Sequence, residues 1–184
     1  MKKLLFAKIE LLLILIFTTG CIMPTTDIAI SPSYNKSKIL SISIWRFRDG
    51  GRISNSGDIA TRAIESAFIR EGFRMVSFSK IRDIISVEIG YTEGMSLEAG
   101  MLTPAVLKRI REETGSDAII LGSVSDSWTD IRYAPSSWIE CSFQMIDTNT
   151  GEILISANVS DDGWSVQSAA KQMAERVVKE LKRK

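Results

Sequence analysis

From Lys38 onward the chain alternates short apolar runs of period two with longer stripes of helical period. Leu40, Ile42 and Ile44 alternate within KILSISIWRF (38–47), which predicts a first strand. The glycine-rich DGGRISNSGD follows, and a helix is expected to begin near Ser56 to Asp58, with Asp58 favourably placed at its N-terminus. Ile59, Ala63, Ile64, Ala67 and Phe68 form its apolar face, and Gly72 ends it. FRMVSF (73–78) reads as a second, short strand, and Ser79 as the cap of a short helix through Val87. Residues 88–103 read as a loop; Pro104 suits the first turn of a helix that stops at Gly115 and carries the stripe Val106, Leu107, Ile110. SDAIILGSVS (116–125) is a near-continuous apolar strand of the kind buried on both faces. Between Ser137 and Asp147, Ile139, Cys141, Phe143 and Met145 face one side, and Glu140, Ser142 and Gln144 the other. DTNTGE (147–152) is a turn with a permissive Gly151, leading into a last strand, EILISANV (152–159). From Ser165, Val166, Ala170, Met173, Val177 and Leu181 mark an amphipathic helix with a basic end. The order β-α-β-α-α-β-β-β-α predicts an α/β domain, its helices packed on a mixed sheet.

The first 21 residues follow a different rule. Lys2, Lys3 and Lys8 give a basic start, and Leu11 to Phe17 is an unbroken apolar run of seven. That length suits a signal-peptide core and falls far short of the roughly 20 residues that span a bilayer. Thr18-Thr19-Gly20-Cys21 follows and resembles the lipobox of bacterial lipoproteins, where the cysteine is acylated and becomes the first mature residue. Several acyl chains on one residue, at about 0.8 kcal/mol per buried methylene, give durable attachment. Residues 1–20 are therefore expected to be a signal peptide. Residues 21–37 would be the lipidated Cys21 and a polar, proline-bearing linker reaching at most about 55 Å, and 38–184 a single domain. Ile22 lacks the Asp that retains lipoproteins in the inner membrane of enteric-type bacteria. The expected address is the outer membrane, periplasmic side, with the inner membrane as the alternative.

Without residues 1–20 the chain carries 20 basic and 21 acidic side chains, which gives no footprint for nucleic acid. It has no histidine, so the commonest general base and zinc ligand are absent, as are Ser-His and Cys-His dyads. Cys141, the second of two cysteines, falls on the predicted buried face and reads as an inert core thiol. Ser77 to Lys80 and Ser33 to Lys36 match S-x-x-K, but the companion S-D-N and K-T-G motifs are missing. Asp147 to Glu152 lacks the glycine and acid that a calcium loop needs at its sixth and twelfth positions. Asp161-Asp162 reads as a solvated loop, not a metal site. No catalytic, cofactor or metal residue is assigned. Trp128, Tyr133 and Trp138 cluster about one connection; they are candidate partner contacts, or they pack over the sheet edge.

Four phrases, in order, carry a resemblance: IATRAIESAFIREGFRMVSFSKIRDII, LTPAVLKRIREETGSDAIILGSVSD, FQMIDTNTGEILISANVSD and the terminal amphipathic helix. Together they resemble the curli-export lipoprotein (CsgG) superfamily, whose fold is shared with the penicillin-binding-protein activator LpoB and the amino-terminal domain of TolB. The resemblance covers roughly 38–184. It implies a CsgG/TolB-N-like fold and a non-enzymatic interaction or assembly module for envelope machinery, such as secretion, a surface appendage or peptidoglycan synthesis. The alternative it implies is an oligomeric subunit of a curli-type channel. Membrane strands need about 9 to 11 residues each, and neither 88–103 nor 126–136 holds two of them, which disfavours the channel. The expected partners are the membrane, through acyl chains, envelope proteins, and further copies of the chain.

Overall fold

The computed structural model describes residues 24–92, 95, 97–129 and 136–183. The expected signal segment, Cys21 and Tyr133 lie outside them, and of Trp128 only the backbone is described. In chain order the elements are β1 (Thr26–Ile30), β2 (Ser41–Ile44), β3 (Arg48–Asp49), α1 (Ser56–Arg70), β4 (Arg74–Val76), α2 (Phe78–Ile89), α3 (Pro104–Thr114), β5 (Ala118–Thr129), β6 (Ser136–Asp147), β7 (Ile153–Gly163) and α4 (Val166–Leu181). The nine expected elements are all present, and β1 and β3 are additions. The result is an α/β fold: a seven-stranded mixed sheet, order β1-β7-β6-β5-β2-β4 with β3 also on β5, carrying four described helices. β2 runs parallel to β4 and β5, whereas β5, β6, β7 and β1 are successively antiparallel.

The linker expectation needs correction. Thr26 to Ile30 pair with Val159 to Ile155, forming an edge strand of the sheet. Ile28, Ile30 and Tyr34 pack on the core, and Ser31 and Ser33 donate to Glu152 Oε1 (2.6 and 2.5 Å). Burial of the Tyr34 phenol pushes its pKa up, and the two seryl hydroxyls hold Glu152 below the usual carboxylate range. An apparently polar tether is thus built into the domain, and the chain between Cys21 and Thr25 shrinks to a reach of about 14 Å at most.

Helix starts follow side-chain chemistry. Thr103 caps α3 by accepting from Val106 N, with Pro104 in the first turn and Gly115 (φ +67°) at the end. Ser165 and Ser168 form a capping box on α4. α2 begins one residue after Ser77, earlier than expected, with Ser79 inside its first turn. At α1 the residue in the cap position, Asn55, makes no cap bond, and Asp49 of β3 substitutes by accepting from Gly57 N and Ser56 Oγ. Gly57 is needed there, since a Cβ would sit 2.1 Å from the carbonyl oxygen of Phe47.

The sheet divides the core in two. On one face α1 and α4 cover the whole width, and Ile64, Phe68, Met173 and Val177 meet Ile120, Cys141 and Met145. On the other face α2 and α3 cover only the parallel side, where Ile81, Ile85 and Ile110 meet Trp45, Ile119 and Ile146. Among the described residues, no α-helix covers the antiparallel side of that face. Asp161, expected in a solvated loop, lies in β7, buried on the α4 side and 2.6 Å from Arg176 Nε.

Candidate interaction surface

The uncovered face is polar because successive side chains of a strand alternate between faces. The register places Ser123 of β5 beside Ser142 of β6, Asn158 of β7 and Asp27 of β1. Ser142 Oγ donates to Asn158 Oδ1 (3.4 Å). A groove of about 410 Å³ lies along these residues, walled at one side by Arg48 and by Leu97 to Ala99. A second hollow of about 510 Å³ adjoins it through Arg48, Leu97 and Gly122, under Trp45 and Tyr91. Arg46 at its rim is engaged by Asp58 (2.6 Å) and lies over the Phe78 ring. The groove presents hydroxyls and amides, which suit hydrogen bonding to a partner.

Nucleophile chemistry finds no support in the geometry around the motif residues. The Ser77 hydroxyl shares a hydrogen bond with Ser79 (2.9 Å), and the Ser33 hydroxyl is committed to Glu152. Asp147 Oδ1 accepts from the amides of Asn149 and Thr150 (2.7 and 2.9 Å), which makes it a turn-former and leaves the hairpin reading standing. Cys141 is fully buried, and desolvation pushes its thiol pKa far up, as the alternation implied.

Of the three aromatic candidates, Trp138 alone has a described side chain. It lies on the uncovered face of β6, between Ser127 and Asp162, partly buried, its indole Nε1 enclosed and without a hydrogen-bond partner among the described residues. A fourth aromatic escaped the sequence reading. Trp164 is 80% exposed, the most open large apolar side chain among the described residues. It is the single residue between Gly163, the last of β7, and Ser165, the cap of α4. The available signal was a tryptophan wedged between a strand-ending glycine and a helix-capping serine. Gly163 pairs with Ser137 at the start of β6, so Trp164 stands at the same end of the sheet as Trp138 and the β5–β6 connection.

No protein-family model matches the chain, and no curated protein matches it in sequence. Solved structures match it in fold. The fold is similar to a PelC dodecamer from Paraburkholderia phytofirmans, at 15% identity and TM-score 0.57, over 85% of this chain and 96% of that one. It is similar to lipoprotein GNA1162 from Neisseria meningitidis, at 13% identity and TM-score 0.53, over 78% of this chain and 99% of that one. The LpoB C-terminal domain from Escherichia coli gives 18% identity and TM-score 0.43 over 69% of this chain and 86% of that one, a likeness too slight to argue from. Identities this low speak to fold alone. The α/β expectation stands, and no described helix is long and apolar enough to cross a membrane.

Proposed function

We propose that this chain is a lipoprotein of the bacterial envelope, anchored through acylated Cys21 after loss of residues 1–20. Its α/β domain acts without catalysis, as an interaction and assembly module of CsgG/TolB-N-like type on the periplasmic side of the outer membrane. One observation carries the reading: a fold similar to lipoprotein GNA1162 and to PelC follows directly on a lipobox-like Thr18-Thr19-Gly20-Cys21. The polar groove on the uncovered face and the aromatic end of the sheet are the surfaces offered to partners. The test is incorporation of labelled palmitate into the full chain in a Gram-negative host, followed by membrane fractionation. Label that disappears in Cys21→Ser, with the protein in the outer-membrane fraction, supports the reading; unlabelled, freely soluble protein overturns it.

A second reading, assembly of several copies, is favoured by the likeness to a chain that forms a dodecamer. Detergent-extracted protein would then elute from a sizing column as a large species that crosslinks into a ladder of multimers. A monomer at all concentrations excludes it, and with it the channel-subunit alternative.

A further inference from the structure

The end of the sheet at which the chain enters β1 is also the end that displays Trp164. Ser160 N donates to the carbonyl of Thr25 (2.9 Å), and Thr25 N and Oγ1 both meet Ser160 Oγ (2.9 Å each). That rung fixes where the domain begins. On one strand Cys21 is four residues from it; on the other, Trp164 is four residues from it. Four residues span at most about 14 Å. A membrane holding acyl chains at Cys21 would therefore lie within about that distance of Thr25, at the end of the sheet that also carries Trp164.

The backbone on either side of Trp164 is held by its neighbours. A Cβ on Gly163 would meet Ser168 Oγ at 2.3 Å and the Ala169 amide at 2.8 Å, so β7 runs directly against the first turn of α4. Ser168 Oγ accepts from Ser165 N (3.0 Å), and Ser165 Oγ from Ser168 N (3.2 Å). Gln172 donates to the carbonyl of Asp162 (3.2 Å), and Arg176 pairs with buried Asp161. Both backbone flanks of Trp164 are tied down, which fixes the point at which its side chain leaves the domain. An exposed indole is apolar over its body and polar at its N–H, the combination that settles among lipid headgroups.

We propose that Trp164 inserts into the headgroup layer of the membrane that carries the anchor, so that this end of the sheet rests on the lipid. The occupant is the bilayer surface itself. The acyl chains supply the attachment, and Trp164 sets the tilt and holds the domain against the membrane instead of letting it swing on Cys21. The inference rests on the acylation proposed above.

The test uses the full, acylated chain in vesicles of phosphatidylethanolamine and phosphatidylglycerol whose acyl chains carry bromine, with the acyl mass on Cys21 verified separately by mass spectrometry. Indole fluorescence should be quenched by the brominated lipid, and Trp164→Phe should lose most of that quenching while remaining vesicle-bound and folded by circular dichroism. Acylated protein whose quenching is the same with and without Trp164 overturns the proposal. A chain without the acyl mass overturns the anchor reading and the proposal together. Trp164→Cys supplies an accessible thiol distinct from buried Cys141; rapid disulfide linkage of two copies through it on vesicles would assign this surface to a second copy and overturn the lipid contact.

Discussion

The two faces of the sheet are built from the same strands and do different work. Toward α1 and α4 every strand of the antiparallel side sends in an apolar residue, among them Ile139, Cys141, Met145, Ile155 and Val159, all fully buried. One position along, the same strands send Ser142, Ser156 and Asn158 into open solvent. The first face carries stability, since burial of a large apolar side chain stabilises by about 1.5–3 kcal/mol. The second contributes little and is free to carry recognition. Substitutions should separate the two faces sharply.

The largest effect is expected from the helix face. Phe68 is fully buried and packs against Phe73, ring centroids 5.2 Å apart. Phe68→Ala should cost about 3–5 kcal/mol in urea unfolding; a loss below about 1 kcal/mol would break the assignment of that face as the core. Next comes Asp161, whose buried carboxylate meets half-exposed Arg176 and accepts from the Asp162 amide (3.0 Å). Asp161→Ala strands those donors and should cost about 1–3 kcal/mol, with melting temperature as the readout.

The edge strand gives a smaller, pH-dependent effect. Hydrogen bonds from Ser31 and Ser33 favour ionised Glu152, so its folded pKa lies below its ordinary value of 4.5. Its contribution is then complete above that value and disappears as pH falls through the folded pKa. Urea midpoints of the native chain should decline below about pH 4.5 more steeply than those of Glu152→Gln. Parallel curves would separate Glu152 from the docking of the segment around β1. Least of all, Ser142→Ala on the uncovered face should shift stability by no more than about 0.5 kcal/mol in either direction. If recognition lives there, capture of envelope partners by crosslinking should weaken while stability holds.

Elements whose residues repeat a strict period were legible in the sequence. β6 is the clearest, because Ile139, Cys141, Phe143 and Met145 are buried in the α1–α4 core while Glu140, Ser142 and Gln144 between them are half-buried or exposed on the other face. β1 was not, for two reasons. It is an edge strand with only Ile28 and Ile30 turned partly inward, and Pro24, Pro32 and several hydroxyl residues around it are the composition of a linker. Asp126 and Asp161 escaped for another reason. Each is a single acid whose partners are remote in sequence: Asp126 Oδ1 accepts from the Arg52 and Ile53 amides (2.9 Å each), and Asp161 pairs with Arg176. Periodicity describes what one element presents, and these contacts depend on which other element arrives. The same limit applied to Trp164. Trp45 and Trp164 are the same residue type near the end of a strand, yet one is 4% exposed under α2 and the other 80% exposed beyond the sheet.

The pairing of β1 with β7 also orders events in time. A chain made from its N-terminus presents Thr26 to Ile30 at the outset, and their hydrogen-bonding partners, Ile155 to Val159, come more than 120 residues later. Closing so long a loop is entropically costly before its contacts form. By that cost β1 is the strand of the sheet expected to dock last. In the acylated chain proposed above, the rest of the domain would until then fold at the end of a longer leash, and docking of β1 would draw it in toward Cys21.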